Sequence, residues 1–187
     1  MRRRIPKQSR GRSTDLRPTT SRVLSALFSM FGPEGVNGLK VLDLYAGTGS
    51  FGLRALERGA AQVVMVEFNR QRCDALRQAV QQHGYQNVKV VRGDALKALS
   101  GIDEQFDVVF ADPPYADDPF EELMMGLEQN HLLSPDCTVM LEHFHKTELP
   151  ERVGRLSQVT RRQYGDSAVS VYRCEAGTGT GAGKEPG

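Results

Sequence analysis

The chain has 187 residues, 39% hydrophobic and 25% charged, which suits one α/β domain with a real core. Its net charge of +1 conceals a division: residues 1–22 hold eight basic side chains against Asp15 alone, a net of +7 that leaves the remainder at −6. No stretch approaches the roughly 18–20 apolar residues that cross a bilayer, the arginine-rich start lacks the apolar run of a secretory signal, and Cys73, Cys137 and Cys174 show no C-x-x-C spacing, so the sequence predicts a cytoplasmic protein with reduced thiols and no membrane partner.

Residues 1–17 are polar, basic and aperiodic, and are expected as a flexible arm. A basic arm on an acidic body points to a polyanionic partner, because phosphate contacts release counterions whichever base is present. Arg10, Arg12, Arg17 and Arg22 are the candidate phosphate contacts. The stretch "RPTTSRVLSALFSMFG" then predicts a helix capped by Thr19 or Thr20, with Val23, Leu24, Leu27, Phe28 and Phe31 at helical spacing and Gly32-Pro33 as the stop. Short apolar strands follow at 40–44, 62–67, 88–92, 106–111 and 137–142, separated by helical stretches near 50–58, 69–83, 94–100 and 118–130. This alternation predicts a mostly parallel sheet covered by helices on both faces. "LSQVTRRQYGDSAVSVYRC" predicts a C-terminal antiparallel hairpin turning at Gly165-Asp166, and the Gly-rich 175–187 a disordered tail. Residues 18–174 are thus one catalytic-sized domain, and no internal repeat is visible.

"LKVLDLYAGTGSFGLRAL" carries the most chemistry. A buried strand meets Gly47, Gly49 and Gly52 and a helix follows; with Glu67 twenty residues beyond Gly47, this fits a dinucleotide fingerprint. Asp43, inside the strand end, argues otherwise. A carboxylate there can hold, directly or through water, the ammonium of an amino-acid-like ligand such as S-adenosylmethionine, whose lack of a pyrophosphate leaves the glycines only to admit it against bare backbone. Glu67 would accept from ribose hydroxyls; Asp94 faces an adenine or caps the helix after it. Asp43, Glu67, Asp94 and Asp112 all fall at carboxyl ends of successive strands, the edge where open α/β sheets bind ligands.

After the fourth strand comes "DPPY". Two prolines remove two backbone donors and fix two φ angles, so the strand must end in a stiff corner that presents Asp112 and Tyr115. The combination of "DLYAGTGSFG", the acid after the second strand and "DPPY" resembles class I S-adenosylmethionine-dependent methyltransferases. With "RPTTSRVLSALFSMF" upstream, the chain is similar over residues 16–173 to the bacterial family that methylates the exocyclic N2 of a guanine in 16S ribosomal RNA. The resemblance implies a Rossmann-like fold. It also implies a cofactor site of Asp43, Tyr45, Ala46, Gly47, Gly49, Glu67, Phe68, Asp94, Ala95 and Asp112, and a catalytic corner of Asp112, Pro113, Pro114 and Tyr115. The implied substrate is small-subunit RNA within an assembled or assembling particle, acted on by a monomer.

At that corner the Asp112 carboxylate and Pro113 carbonyl can accept both N–H groups of an amino nitrogen and stabilise the charge developing on it. Asp112 is then the nearest base for the departing proton, and Tyr115 offers a stacking face to an extruded base. An adenine-N6 enzyme uses a similar corner, usually with Asn in place of Asp. An NAD-dependent oxidoreductase and a non-catalytic RNA-binding protein are the readings from other classes. His143 and His145 in "EHFH" are expected as strand-edge or loop residues without zinc. Phe120, Met124 and Met125 are expected on a sheet-facing helix, and Tyr164 and Tyr172 as cross-strand core partners.

Overall fold

Val-rich runs flanked by glycines and polar turns form strands when both of their faces are covered, because every side chain then finds an apolar neighbour. In the computed structural model, which describes residues 21–114 and 118–175, these runs become β1 (Lys40–Leu44), β2 (Gln62–Glu67), β3 (Val88–Arg92), β4 (Phe106–Ala111) and β5 (Leu133–Phe144). Between and around them lie α1 (Ser21–Ser29), α2 (Ser50–Glu57), α3 (Arg70–His83), α4 (Ala95–Ala98) and α5 (Phe120–Gln129). The chain closes with β6 (Arg152–Val153), β7 (Leu156–Tyr164) and β8 (Ser167–Cys174).

One eight-stranded sheet runs β3-β2-β1-β4-β5-β8-β7-β6. The first five strands are parallel and the β7–β8 hairpin joins antiparallel, as the sequence predicts, with β6 added antiparallel to β7. The chain winds outward from β1 to β3, then returns to place β4 on the other side of β1. That reversal is a topological switch point, where the loops of β1 and β4 diverge and leave a crevice. The register is explicit: Leu44 lies opposite Ala111, so Tyr45 and Asp112 leave the sheet side by side.

Alternate residues feed two cores. Leu42, Leu44, Val64, Val66, Val109, Leu141 and Tyr172 pack with α4 and α5 on one face. Val41, Val63, Met65, Val108, Phe110 and Met140 pack with α1, α2 and α3 on the other. There the Phe28, Phe51 and Phe110 rings stack in sequence at 4.9 and 4.3 Å, with the Arg58 guanidinium 4.8 Å from the Phe28 ring centre.

Several boundaries differ from expectation. β5 begins at Leu133, before the predicted 137, because Leu133 pairs with Phe106 across a register shift that absorbs Ser134, Pro135 and Asp136. α4 is one turn, continued by a 3-10 turn at Leu99–Gly101, and the two-residue β6 pairs beside β7. His143 is not at an edge: it is buried inside β5, with Nδ1 donating to the Phe144 carbonyl and Nε2 accepting from Ser170 Oγ. Burial holds the His143 pKa below its ordinary value, consistent with that neutral tautomer. Tyr172 is fully buried and its hydroxyl donates to the Pro150 carbonyl, yet it lies opposite Gln158 and Val139, while Tyr164 lies opposite Ser167. Phe120 and Met124 face the sheet, whereas Met125 is exposed. Arg10, Arg12, Arg17, Thr19, Thr20 and Tyr115 lie outside the described residues, and Arg22 falls in the first turn of α1.

Candidate functional site

The turn after β1 is the foundation. Tyr45 takes φ 60, Gly47 φ 57 and Gly49 φ 78, left-handed backbone that lets the chain reverse into α2 within a few residues. Tyr45 holds this conformation without being glycine, a strained geometry of the kind that the surrounding structure must enforce. Gly52 has a steric duty as well: a Cβ there would lie 2.8 Å from Met65 Cγ and Sδ and 3.0 Å from Asp43 Oδ2. Only glycine lets α2 sit this close to β1 and β2.

Asp43 explains that close approach. It is 1% exposed, and Oδ2 accepts the Gly52 N–H at 2.9 Å. Its carboxyl thereby holds the first turn of α2. Burial pushes its pKa up to about 7, the Gly52 amide opposing and the Glu67 charge adding to the rise. The folded protein therefore holds a proton there that the unfolded chain releases near pH 4. Stability from this group is fully present below the unfolded value and is lost as pH rises to about 7. Thermal melts of Asp43→Asn between pH 4 and 8 are expected to show a flatter decline than the wild-type chain; identical slopes would refute the assignment.

Glu67, at the end of β2, ties the loops together. Oε2 accepts the Gly47 N–H at 2.8 Å and Oε1 the Asn69 N–H at 2.7 Å. Its own carbonyl accepts the Gly93 N–H and the Cys73 thiol. One residue thus couples the turns after β1, β2 and β3. Each carboxylate oxygen carries a second lone pair, so Glu67 retains acceptor capacity toward the cleft that it lines.

That cleft encloses about 320 Å³ and is lined by Tyr45, Val66, Glu67, Phe68, Asn69, Arg72, Gly93, Asp94, Ala95, Asp112 and Pro114. Phe68 is 75% exposed at its wall, an apolar ring left facing solvent where a flat ligand can cover it. Asp94 Oδ1 caps α4 by accepting the Lys97 N–H, and the residue also lines the cleft. Asp112 enters from β4, half-buried, with Pro113 buried beneath it and Pro114 exposed.

Of the expected cofactor residues, Tyr45, Glu67, Phe68, Asp94, Ala95 and Asp112 therefore meet in one cleft, while Ala46, Gly47 and Gly49 form the adjoining turn and Asp43 holds the start of α2. Asn69, Arg72 and Gly93 join them without being expected there. Asn69 carries a visible signal, since its side chain caps α3 by accepting the Arg72 N–H. Arg72 carries none; only the helix start aims it at Glu67 Oε1, 3.7 Å away. Among the described residues, no group of three or more His, Cys, Asp or Glu side chains is placed to hold a metal ion. No described helix is long and apolar enough to cross a membrane.

Switch-point topology, the glycine turn and a carboxylate-proline corner on the adjacent strand define an enzyme of the class I methyltransferase fold. An RNA methyltransferase of Salinibacter ruber, solved with S-adenosylhomocysteine, shares this fold: TM-score 0.64, 19% identity, 84% of this chain and 93% of that one covered. The chain belongs to the family described as conserved hypothetical protein 95, whose model matches residues 2–173. It is 32% identical over 164 residues to the ribosomal RNA small subunit methyltransferase D of Escherichia coli, covering 88% of this chain and 82% of that protein. A conserved hypothetical protein of Streptococcus pyogenes superposes with a TM-score of 0.76 at 32% identity, over 82% of this chain and 96% of the other.

Proposed function

We propose that this enzyme transfers a methyl group from S-adenosylmethionine to the exocyclic N2 of a guanine in 16S ribosomal RNA of the small subunit. The observation that carries the reading is the pairing of Leu44 with Ala111, which delivers the glycine turn and the Asp112 corner to one cleft. The similarity to a small-subunit ribosomal RNA methyltransferase supports the RNA substrate, and Asp rather than Asn at position 112 supports guanine.

The residues present fit the cofactor. The cleft has the volume of a nucleoside-sized ligand, an acidic acceptor at Glu67, an exposed ring at Phe68 and a second acid at Asp94. Glu67 would hold the ribose hydroxyls, Phe68 the adenine face and Asp94 the adenine edge or its neighbouring water. When bound, S-adenosylmethionine supplies an electrophilic methyl on a sulfonium. Asp112 and the Pro113 carbonyl accept the amino N–H groups of the base, which orients the nitrogen, favours charge developing on it and excludes water from that side. Asp112 then receives the proton that the methylated nitrogen sheds. A base stacked within a duplex cannot reach this cleft, so the substrate nucleotide is unpaired or flipped, and Tyr115 is the proposed stacking face.

The basic segment at residues 1–22 is the proposed phosphate contact, through Arg10, Arg12, Arg17 and Arg22. Removing residues 1–12 is expected to weaken RNA binding and to reduce the salt slope by roughly 0.7–0.9 for each phosphate that is no longer neutralised; an unchanged slope would leave the segment without that role.

Mass spectrometry of small-subunit RNA from cells with and without the protein tests the whole reading, with purified enzyme and labelled cofactor on isolated subunits as the second arm. N2-methylguanine at one position, lost on deletion, is the expected result. N6-methyladenine would replace the base assignment. RNA binding indifferent to cofactor, with no modified nucleotide, would leave an RNA-binding protein, and nicotinamide binding in its place an oxidoreductase.

A further inference from the structure

The two cysteines at the far end of β5 and β8 lie 37 positions apart in the chain and meet only in the sheet. β5 and β8 are antiparallel with Thr138 opposite Arg173, so the next rung sets Cys137 opposite Cys174. Directly opposed residues point to the same face, and both side chains belong to the core on the α4–α5 side, Cys137 fully buried and Cys174 half-buried at its margin. Cα atoms facing each other across an antiparallel ladder stand ~4.5–5.5 Å apart, inside the span that a disulfide bridges without moving backbone. Both thiols are free in the structure.

We infer that Cys174 and Cys137 form a peroxide-reactive dithiol, in which Cys174 is the attacking thiol, Cys137 the resolving one, and an intrachain disulfide the product.

The surroundings assign those roles. Cys174 is half-buried and open to a small oxidant, whereas Cys137 is fully buried behind it. The neighbouring Cys137 thiol, as a donor, lowers the Cys174 pKa to about 7 against the opposing effect of burial, and the Arg155 guanidinium assists while Glu128 resists. The Cys137 thiol is pushed up, first by its donor role toward Cys174 and then by burial, so it holds its proton until its neighbour has reacted. Cys73, on α3, is buried, its pKa is raised first by burial, and its thiol donates to the Glu67 carbonyl. The chemistry balances with a hydroperoxide as oxidant. The Cys174 thiolate attacks one peroxide oxygen, the O–O bond breaks, and hydroxide leaves to take up the proton that Cys174 had released. The Cys137 sulfur then attacks the resulting sulfenic sulfur, the S–O bond breaks, and the departing oxygen leaves as water with the Cys137 proton. Two thiols and one hydrogen peroxide give one disulfide and two waters.

The full-length protein, treated with hydrogen peroxide and digested without reductant, tests this by mass spectrometry. The expected result is a Cys137–Cys174 crosslinked peptide lacking two hydrogens, formed roughly tenfold or more faster than any oxidation at Cys73, together with a higher melting temperature that reductant reverses. In Cys137→Ser, Cys174 is expected to accumulate as sulfenic acid that a dione probe captures. In Cys174→Ser, Cys137 stays reduced. Sulfinic or sulfonic acid at Cys174 without a crosslink in the wild-type chain would overturn the proposal, as would oxidation confined to Cys73. The wild-type map decides the matter even if either variant fails to fold.

Discussion

Asp112→Ala is expected to lower methyl transfer by at least ~10²–10³-fold while the protein still binds cofactor, because removing one preorganised electrostatic group from a dry site has that magnitude. The shape of the corner rests on Pro113 and Pro114 and on the pairing of β4 with β1, so alanine at 112 leaves the scaffold standing. Asp112→Asn keeps an acceptor oxygen but loses the negative charge and the base, and its activity is expected to stay far below wild type. Calorimetry with S-adenosylhomocysteine alongside single-turnover methyl transfer separates the two effects. Equal losses in both would show that Asp112 acts on the cofactor, and the assignment to the amino nitrogen would fall.

Glu67→Ala is expected to cost both binding and stability. Its carboxylate accepts the Gly47 and Asn69 amides in a nearly buried position, 5% exposed. Hydrogen bonds to a charged group are worth about 1.5–3 kcal/mol each, so removing the pair is expected to destabilise the chain by about 3 kcal/mol. Freed from that anchor, the glycine turn no longer stands against the cleft, and cofactor affinity is expected to fall by roughly a hundredfold or more, the equivalent of about two such hydrogen bonds. Glu67→Gln, which retains one acceptor oxygen, should lie between. Urea unfolding and calorimetry on the same preparations check this; full stability with lost affinity would confine Glu67 to ligand contact and refute its part in joining the three loops.

Much of this molecule is legible in its sequence because of how parallel sheets are buried. β1, β2 and β4 read as apolar runs since both faces meet helices. Gly165 with φ 65 marks the hairpin turn because few other residues tolerate that backbone. The cleft residues Glu67, Phe68, Asp94 and Asp112 are legible because strand ends are where such folds place ligands. What hid were the contacts that depend on partners distant in the chain. The same Asp43 that reads as a ligand-binding carboxylate is turned inward by the close approach of Gly52. Arg72 reads as any solvated helix arginine until α3 docks against Glu67.

By itself, the amino-acid sequence determined the alternation of strands and helices, the stiff corner at Pro113-Pro114 and the residues that the strands deliver to one edge, because period, ring closure and glycine's missing Cβ are local properties. Only the tertiary structure decided which carboxylates line the cleft and which face backbone, and which cysteines lie opposite each other. Those outcomes turn on register and burial: a carboxyl against an amide in the core answers to a different dielectric from one at a cleft wall, and no local pattern encodes the distance between them.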